Sequence, residues 1–192
     1  MNIDVKKKFI ESNALLKGHF MLSSGLHSDT YMQSALVLKN PKTAEQLGNM
    51  LSEKIKEITT DIDLVVAPAM GGLIIGHEVA RSLGKDFVFT ERVDGKMILR
   101  RGFQIQSGAK VVIIEDVFTT GKSTKEVIAL LETFGAVVQC CASLVDRSNG
   151  LDFDVPYVSL LKLDINNYNP DECSLCKDGI DVQKPGTRFI KK

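Results

Sequence analysis

The stretch that decides the fold runs from Val111 to Thr124 and reads VVIIEDVFTTGKST. Its four apolar β-branched residues predict a buried strand. Two acidic residues and a Thr-Thr-Gly turn follow, and the last residues predict the start of a helix. A strand that passes through a short turn into a helix is the repeating unit of an α/β sheet. Ligands of such sheets bind beyond the carboxyl ends of the strands, so residues 115–123 are the first candidates for chemistry.

The remainder of the chain repeats this alternation with short connections. In chain order we predict a helix from the Asn40 cap to Ile58, a strand over 64–67, a helix over 71–83 ended by Gly84, strands over 87–90 and 111–114, a helix ended by Gly135, and strands over 137–145 and 157–161. This order is typical of an α/β fold with a mostly parallel central sheet flanked by helices. We therefore predict a single domain over residues 1–192, with a core over about 41–162 and a small hood built from residues 1–40 and 163–192.

Length and composition bound the class of protein. The 192 residues suffice for one sizeable domain, and 24 basic residues balance 24 acidic ones, which argues against a basic surface for nucleic acid. The longest uncharged apolar run, Leu64–His77, is short and broken by a proline and three glycines, so no membrane span is expected. No apolar stretch follows the N-terminal lysines, and the four cysteines do not predict a disulfide framework. We expect a cytoplasmic protein without nucleic-acid or membrane partners.

The turn after the predicted strand has the composition of an anion site. Backbone N–H groups at the start of a helix point outward, and the helix dipole favours negative charge there. Gly121 lets the backbone approach a ligand closely. The hydroxyl groups around it belong to Thr119, Thr120, Ser123 and Thr124. This pattern favours a phosphate monoester. It is not a P-loop, because the first glycine of that motif would fall at Asp116.

Two carboxylates, Glu115 and Asp116, precede the turn and would repel a phosphate. The vicinal hydroxyls of a ribose suit them, since each carboxylate can accept two hydrogen bonds. An acidic pair followed by a phosphate-binding turn therefore indicates a site for ribose 5-phosphate. The alternative is that the pair merely caps the next helix.

Residues 111–123 resemble the phosphoribosyl pyrophosphate (PRPP) binding motif of type I phosphoribosyltransferases. Within that family, the segments Gly18–Gly25, Ser28–Tyr31 and Leu144–Arg147 resemble orotate phosphoribosyltransferases. The tail, with Cys173-x-x-Cys176 and then Lys184-Pro185-Gly186-x-Arg188, is similar to that of a short bacterial and archaeal branch. The resemblance implies the type I phosphoribosyltransferase fold and transfer of the phosphoribosyl group to orotate.

The resemblance also implies a role for each matching residue. Glu115 and Asp116 would bind the ribose hydroxyls, residues 119–123 the 5-phosphate, and residues 69–72 the pyrophosphate. The side chain of Arg147 would pair with the orotate carboxylate, with Thr119 near the base and with Ser24 and Tyr31 closing over the pyrimidine from the hood. The full set implied for PRPP is Met70, Gly71, Gly72, Glu115, Asp116, Val117, Phe118, Thr119, Thr120, Gly121, Lys122 and Ser123.

The pyrophosphate end departs from the pattern of many orotate phosphoribosyltransferases. They carry a lysine where this chain has Gly71, and a long basic loop where it has the shorter segment 91–96. Arg92 and Lys96 are the candidate catalytic residues of this segment, and the dimer of the family would let them reach the neighbouring subunit. Lys96 could equally lie in a solvated hairpin turn. The resemblance further implies a homodimer and a Mg²⁺ ion held by substrate oxygens and water, with no ligand expected from the protein.

Two alternatives to orotate transfer stay open. A purine base could be the acceptor, although an arginine just beyond a strand end suits an acidic pyrimidine better. A non-catalytic regulator could keep the fold to sense PRPP, although the zero net charge counts against nucleic-acid binding.

Cys173 and Cys176 supply half of a zinc site at best, because four ligands are usual. We expect His19 to pack or hydrogen-bond, and His27 to contact substrate or lie at the surface.

Overall fold

A computed structural model of the chain describes residues 3–22 and 24–185. Ser23, Gly186 and Arg188 of the quoted motifs lie outside these ranges. The helices are α1 Val5–Glu11, α2 Ser34–Leu38, α3 Pro41–Lys56, α4 Gly72–Leu83, α5 Lys122–Thr133 and α6 Ser174–Lys177, with a 3₁₀ turn at Pro170–Glu172. The strands are β1 Leu15–Met21, β2 His27–Met32, β3 Leu64–Pro68, β4 Asp86–Val93, β5 Lys96–Leu99, β6 Lys110–Phe118, β7 Val137–Asp146, β8 Tyr157–Lys162 and β9 Asn167–Tyr168.

Six strands form a central sheet in the order β5-β4-β3-β6-β7-β8. The four pairings among β4, β3, β6, β7 and β8 are parallel, and only the hairpin partner β5 runs antiparallel to β4. Parallel neighbours need crossover connections, which α4 and α5 provide. The predicted α/β architecture with a mostly parallel sheet is confirmed.

Side chains alternate between the two faces of the sheet and build a hydrophobic core on each. On β6, Val112 and Ile114 join the core under α3 and α4, whereas Val111 and Ile113 join the core under α5, and all four are fully buried. The adjacent residues Cys140 and Cys141 on β7 divide between the same two cores as free thiols. This is the near-continuous apolar pattern of strands covered on both faces.

The carboxyl ends of β3 and β6 form a topological switch point. From β3 the chain crosses through α4 to β4 on one side, and from β6 it crosses through α5 to β7 on the other. Ile75 and Val79 place α4 on one face, and Val127 and Leu131 place α5 on the opposite face. The loops after β3 and β6 therefore diverge, leaving a crevice between them where α/β proteins bind ligands.

The predicted helices and strands are present. Their observed ends differ from the predicted ones where pairing with a neighbouring strand sets the length of the element. The Asn40 side chain caps α3 by accepting from the Thr43 N–H at 3.0 Å, and Gly84 ends α4 with φ 64°. The prediction that β6 ends at residue 114 is wrong. The strand continues to Phe118 because residues 115–118 stay paired with β7, as in the match of Glu115 with Ser143. The acidic pair is therefore part of the strand, and the turn is confined to residues 119–121.

Strands from both termini form a hood, but the prediction that all of residues 1–40 belong to it is wrong, because Val5, Phe9, Val37 and Leu38 of α1 and α2 pack into the main core. Strands β1, β2 and β9 make a separate antiparallel sheet, and Gln183 bridges to Phe20 at its other edge. The tail is thus attached to the N-terminal hairpin on both sides. Within the described residues, the helices are all too short or too polar to cross a bilayer.

Candidate active site

The turn at residues 119–121 is held in shape by its glycine. Gly121 has φ 72°, in the left-handed region that glycine adopts at little cost. A methyl group at this position would also lie 2.6 Å from Cε1 of Phe153 and 3.0 Å from Cδ2 of Leu151. The turn therefore requires glycine both for its backbone angle and for its packing.

The turn lines a small concavity of about 60 Å³ together with the start of α5. Its lining residues are Glu115, Val117, Phe118, Thr119, Thr120, Gly121, Lys122, Ser123 and Thr124. Gly121 offers no side-chain cap to α5, and the Lys122 N–H has only a long contact, 3.4 Å, with Oγ1 of Thr120. Among the described residues, the N–H groups of Ser123 and Thr124 have no protein acceptor. Unpaired amides, a helix dipole and surrounding hydroxyls suit an anion of phosphate size.

A second helix begins at the same edge of the sheet. The peptide bond between Ala69 and Met70 is cis, and α4 starts at Gly72, again without a side-chain cap among the described residues. Gly71 is exposed on one side and lies against Asp116 on the other. A Cβ atom on Gly71 would stand 2.4 Å from Oδ1 of Asp116, and one on Gly72 would stand 2.8 Å from the carbonyl oxygen of Ile114. The two loops of the switch point therefore touch through glycine.

The carboxyl groups of Glu115 and Asp116 point to opposite sides of β6. Glu115 lines the concavity beside α5, whereas Asp116 faces Gly71 on the α4 side. Successive residues of a strand alternate in this way, so the two groups do not act as one planar pair. Burial, with the neighbouring Asp116 as the smaller cause, raises the pKa of Glu115 to about 8. Burial also raises the pKa of Asp116.

Ser34 at the start of α2 belongs to this site, although the sequence offered no motif for it. The Ser34 hydroxyl faces the Asp116 carboxyl and lowers the pKa of Asp116, although burial raises that pKa by more. The two groups do not meet the geometry of a full hydrogen bond, and Ser34 Oγ is buried without a partner among the described residues. A buried hydroxyl beside a carboxyl is suited to receive a ligand group between them.

Arg147 follows β7 at the same edge. Its N–H donates to the Phe118 carbonyl at 3.0 Å, which fixes it beside the phosphate turn. The preceding Asp146 folds the loop by accepting from both the N–H and the hydroxyl of Ser148, at 2.8 and 2.6 Å. Burial lowers the pKa of the Arg147 guanidinium, and none of the described carboxylates pairs with it. A half-buried arginine without an acidic partner is a ready site for an anionic ligand.

The remaining predicted residues lie outside this arrangement. Ser24 is at the tip of the β1–β2 hairpin and accepts from the Leu26 N–H at 3.4 Å, and the Tyr31 ring stacks near Phe20 at 5.7 Å. Arg92 is engaged by Glu126 and by the Gly95 carbonyl. Lys96 opens β5, on the exposed hairpin. The contacts of the described residues do not join these four side chains to the phosphate concavity, so their roles stay predictions.

Comparison with known proteins decides the family. The model of the phosphoribosyl transferase domain matches residues 34–176. An orotate phosphoribosyltransferase of Carboxydothermus hydrogenoformans is 48% identical over 187 residues, which cover 97% of this chain and 98% of that protein. The chain belongs to the orotate phosphoribosyltransferase family. A second member, from Thermotoga maritima, is 48% identical over 188 residues, covering 97% of this chain and 100% of that protein.

Solved structures agree on the fold. The orotate phosphoribosyltransferase of Aeropyrum pernix has a TM-score of 0.69 at 26% identity, over 83% of this chain and 94% of that one. An adenine phosphoribosyltransferase of Thermoanaerobacter pseudethanolicus has a TM-score of 0.60 at 22% identity, over 70% and 88% of the two chains. Enzymes named for different bases thus share this fold, and the fold alone does not choose the base.

Proposed function

We propose that this chain transfers the 5-phosphoribosyl group of PRPP to orotate, giving orotidine 5′-phosphate and pyrophosphate, a step of pyrimidine biosynthesis. The observation that carries the proposal is Arg147, whose backbone N–H bonds to Phe118 next to the phosphate turn and whose half-buried guanidinium has no carboxylate partner among the described residues. A planar guanidinium binds a carboxylate in two parallel hydrogen bonds, and orotate is the pyrimidine base that offers one.

The donor would occupy the switch point. The amides and hydroxyls at the start of α5 would hold the 5-phosphate in the concavity of residues 115–124. The uncapped start of α4 and the loop before it would hold the pyrophosphate, with Met70, 79% exposed, open to the incoming ligand. Asp116, between these two helix ends, would accept from a ribose hydroxyl. Each helix end would thus face one phosphate-bearing arm of the donor.

The chemistry needs charge stabilisation more than a covalent partner. Transfer at the anomeric carbon passes through an oxocarbenium-like state while negative charge grows on the leaving pyrophosphate. The α4 amides would stabilise that charge, and the Asp116 carboxyl, anchored against Gly71, would hold the ribose in place for the attack. Burial raises the pKa of Glu115 to about 8, which would lessen its repulsion of the 5-phosphate.

The site fits a Mg²⁺ ion held mainly by the substrate. The two buried carboxyl groups, Glu115 and Asp116, offer at most four oxygens, which is fewer than the six that octahedral Mg²⁺ takes, and both have a raised pKa. Substrate and water oxygens would therefore complete its shell. Such an ion, when bound, neutralises charge on the pyrophosphate.

A homodimer would complete the pyrophosphate end. An apolar groove of about 420 Å³ lies beside the β3–α4 loop, lined by Leu73, Ile74, His77, Glu78, Phe87 and Phe89. Exposed apolar surface of this kind is typical of an interface between subunits. In such a dimer Arg92 or Lys96 of the partner subunit could approach the leaving group.

The free thiols fit the reducing cytoplasm as the location of the enzyme.

The test is a steady-state assay of the full chain with PRPP and Mg²⁺ and with orotate, adenine, hypoxanthine or uracil as acceptor. We expect orotate to be consumed fastest. The proposal fails if orotate is not consumed or if a purine is used faster, which would favour a purine phosphoribosyltransferase. If none of the bases is consumed while PRPP still binds, a PRPP-sensing regulator is favoured instead.

The Arg147→Ala variant separates the acceptor from the donor. Removing one partner of a desolvated charge pair costs about 3 kcal/mol, so we expect KM for orotate to rise about 100-fold with little change in PRPP binding. Arg101→Ala is the matched control, because that arginine is exposed and paired with Glu91. An equal loss of orotate and PRPP binding would remove Arg147 from the carboxylate role.

A further inference from the structure

Four side chains with metal-binding atoms meet in the hood, away from the switch point. They are His19 on β1, His27 on β2, Cys173 before α6 and Cys176 within it, and their ligand atoms all lie within 4.8 Å of one another. The sequence offered the two cysteines as half of a zinc site, and the fold supplies two histidines. The interpretation of His27 as a surface residue is wrong, because only 5% of it is exposed.

The distances approach those of a tetrahedral site. Nε2 of His19 lies 3.4 Å from Sγ of Cys173 and 3.7 Å from Sγ of Cys176, and Nδ1 of His27 lies 3.3 Å from Sγ of Cys176. Zinc bonds of about 2.0 Å to nitrogen and 2.3 Å to sulfur give a tetrahedron with edges of roughly 3.3–3.8 Å. The two ring nitrogens are closer, at 2.8 Å, and would move apart by roughly 0.5 Å around an ion.

A bulge in the hairpin brings both histidines to one face. The register of β1 against β2 shifts between Lys17, which pairs with Thr30, and Phe20, which pairs with Ser28. Between these pairs β1 has two residues, Gly18 and His19, where β2 has only Asp29. Without the additional residue His19 would pair with Ser28 and point away from His27, because a slip of one residue reverses every side chain. Bulges commonly redirect a side chain in this way.

The hydrogen bonds of His19 prepare it as a ligand. Its Nδ1 lies 2.7 Å from the carbonyl oxygen of Ile180, which can only accept, so Nδ1 carries the proton. Nε2 is then bare and points at the two thiols and the second imidazole. Histidine ligands of zinc usually donate their other N–H to a carbonyl or carboxylate in the same manner.

The tail has little else to hold it. Of residues 163–185, Cys173 alone is buried, so this segment contributes almost no apolar core. It is attached by the short β9 pairing with β2 and by the backbone bonds of Gln183 with His19 and Met21, at 2.7 and 2.8 Å. Small, poorly packed units are commonly stabilised by a metal.

We propose that His19, His27, Cys173 and Cys176 bind one structural Zn²⁺ ion that fastens the tail to the N-terminal hairpin. Two thiolates and two imidazoles form a closed Cys₂His₂ shell with no position for substrate. Three ligands are buried, and the exposed Cys176 gives the ion its route in from solvent.

The ion would also fix the hairpin loop that carries Ser24. His19 and His27 bracket residues 20–26, so the metal closes the base of this loop. Beyond the contacts of Phe20 and Met21 with Gln183, its described residues make local bonds, such as Leu22 N–H to the Leu26 carbonyl at 2.8 Å. If orotate is the acceptor, as proposed above, zinc removal should raise KM for orotate more than KM for PRPP.

The direct test is the metal content of the purified full chain, measured without any substrate. We expect about one zinc per chain in the wild type, and a loss of zinc affinity of about 100-fold or more in Cys176→Ser and His27→Gln. Cys141→Ala and His77→Gln are matched controls, because Cys141 lies in the sheet core and His77 on α4, and both should keep the metal.

Cobalt substitution tests the ligand set even if a variant fails to fold. The wild-type chain with Co²⁺ should show intense tetrahedral absorption and thiolate-to-cobalt charge transfer, and zinc should displace it. The proposal would be overturned if the purified wild-type chain contains no zinc and added Co²⁺ gives no such absorption. A Cys173–Cys176 disulfide found by mass spectrometry would also overturn it. Because these readouts need no substrate, they hold whether or not orotate is the acceptor.

Discussion

Replacing Gly71 by alanine tests how closely the two loops of the switch point must approach. Gly71 has φ −60° and ψ −41°, which any residue adopts, so the backbone does not require glycine here. The new methyl group would instead stand 2.4 Å from Oδ1 and 2.8 Å from Cγ of Asp116. An ordinary contact is roughly 3.5 Å, so the Asp116 carboxyl must move by about 1 Å.

A displacement of this size falls on the side chain that we propose holds the ribose. A misplacement of about 1 Å costs on the order of 100-fold in rate, or about 2.7 kcal/mol of transition-state stabilisation. We therefore expect kcat/KM for PRPP to fall about 100-fold in Gly71→Ala. Displacing the buried carboxyl should cost about 1–2 kcal/mol of folded-state stability, offset in part by the roughly 0.5 kcal/mol that alanine contributes by restricting the unfolded chain.

A double-mutant cycle with Asp116→Ala isolates the cause. The measurements are initial rates of orotate consumption at varied PRPP, PRPP binding by calorimetry, and urea unfolding. In the Asp116→Ala background the added methyl has no carboxyl to displace, so Gly71→Ala should cost almost nothing more. The reasoning is refuted if Gly71→Ala retains kcat/KM within about threefold of wild type. It is equally refuted if the loss persists unchanged without the Asp116 carboxyl.

Two further predictions concern Glu115 and Arg92. Burial raises the pKa of Glu115 in the folded chain to about 8. The protonated side chain therefore contributes fully to the free energy of unfolding below the pKa that it has in the unfolded chain, and this contribution is lost as pH rises through the folded value. Relative to Glu115→Gln, the wild-type free energy of unfolding should fall by roughly 4 kcal/mol between pH 5 and 8, and parallel urea-unfolding profiles would contradict the buried carboxyl. Arg92→Ala mixed with Asp116→Asn should recover activity beyond the sum of the two variants, since a heterodimer would contain one intact site if Arg92 acts on the partner subunit. Recovery no greater than that sum would confine Arg92 to its own chain, where it pairs with Glu126.

Local signals were enough to predict the turn after β6 and the helix that follows it. The turn of residues 119–121 depends on Gly121 and on the helix after it, and both are visible in a window of fourteen residues. The end of β6 was not predictable in the same way. Pairing with β7 extends the strand by four residues, to Phe118, and this pairing depends on a neighbour more than twenty residues away.

Contacts between distant segments explain what the sequence did not predict. Ser34 meets Asp116 only because α2 folds back over the sheet, and no pattern around Ser34 announces it. The hood cluster joins His19 to Cys173 across 154 positions, and it also depends on a one-residue bulge that leaves no clear mark in the sequence. Residue types alone indicated only the cysteine half of a metal site, and the tertiary fold brings the two histidines to it.

The donor and acceptor halves depend on different kinds of structure. In the proposed site, the donor half would use backbone amides at two helix ends, whose loops meet where Gly71 contacts Asp116. The proposed acceptor half would use Arg147 and a hood whose tail has almost no core of its own among the described residues. Acceptor preference could therefore diverge while the donor half stays the same. In this chain, a metal that fastens the hood would act on orotate binding and leave the PRPP site unchanged.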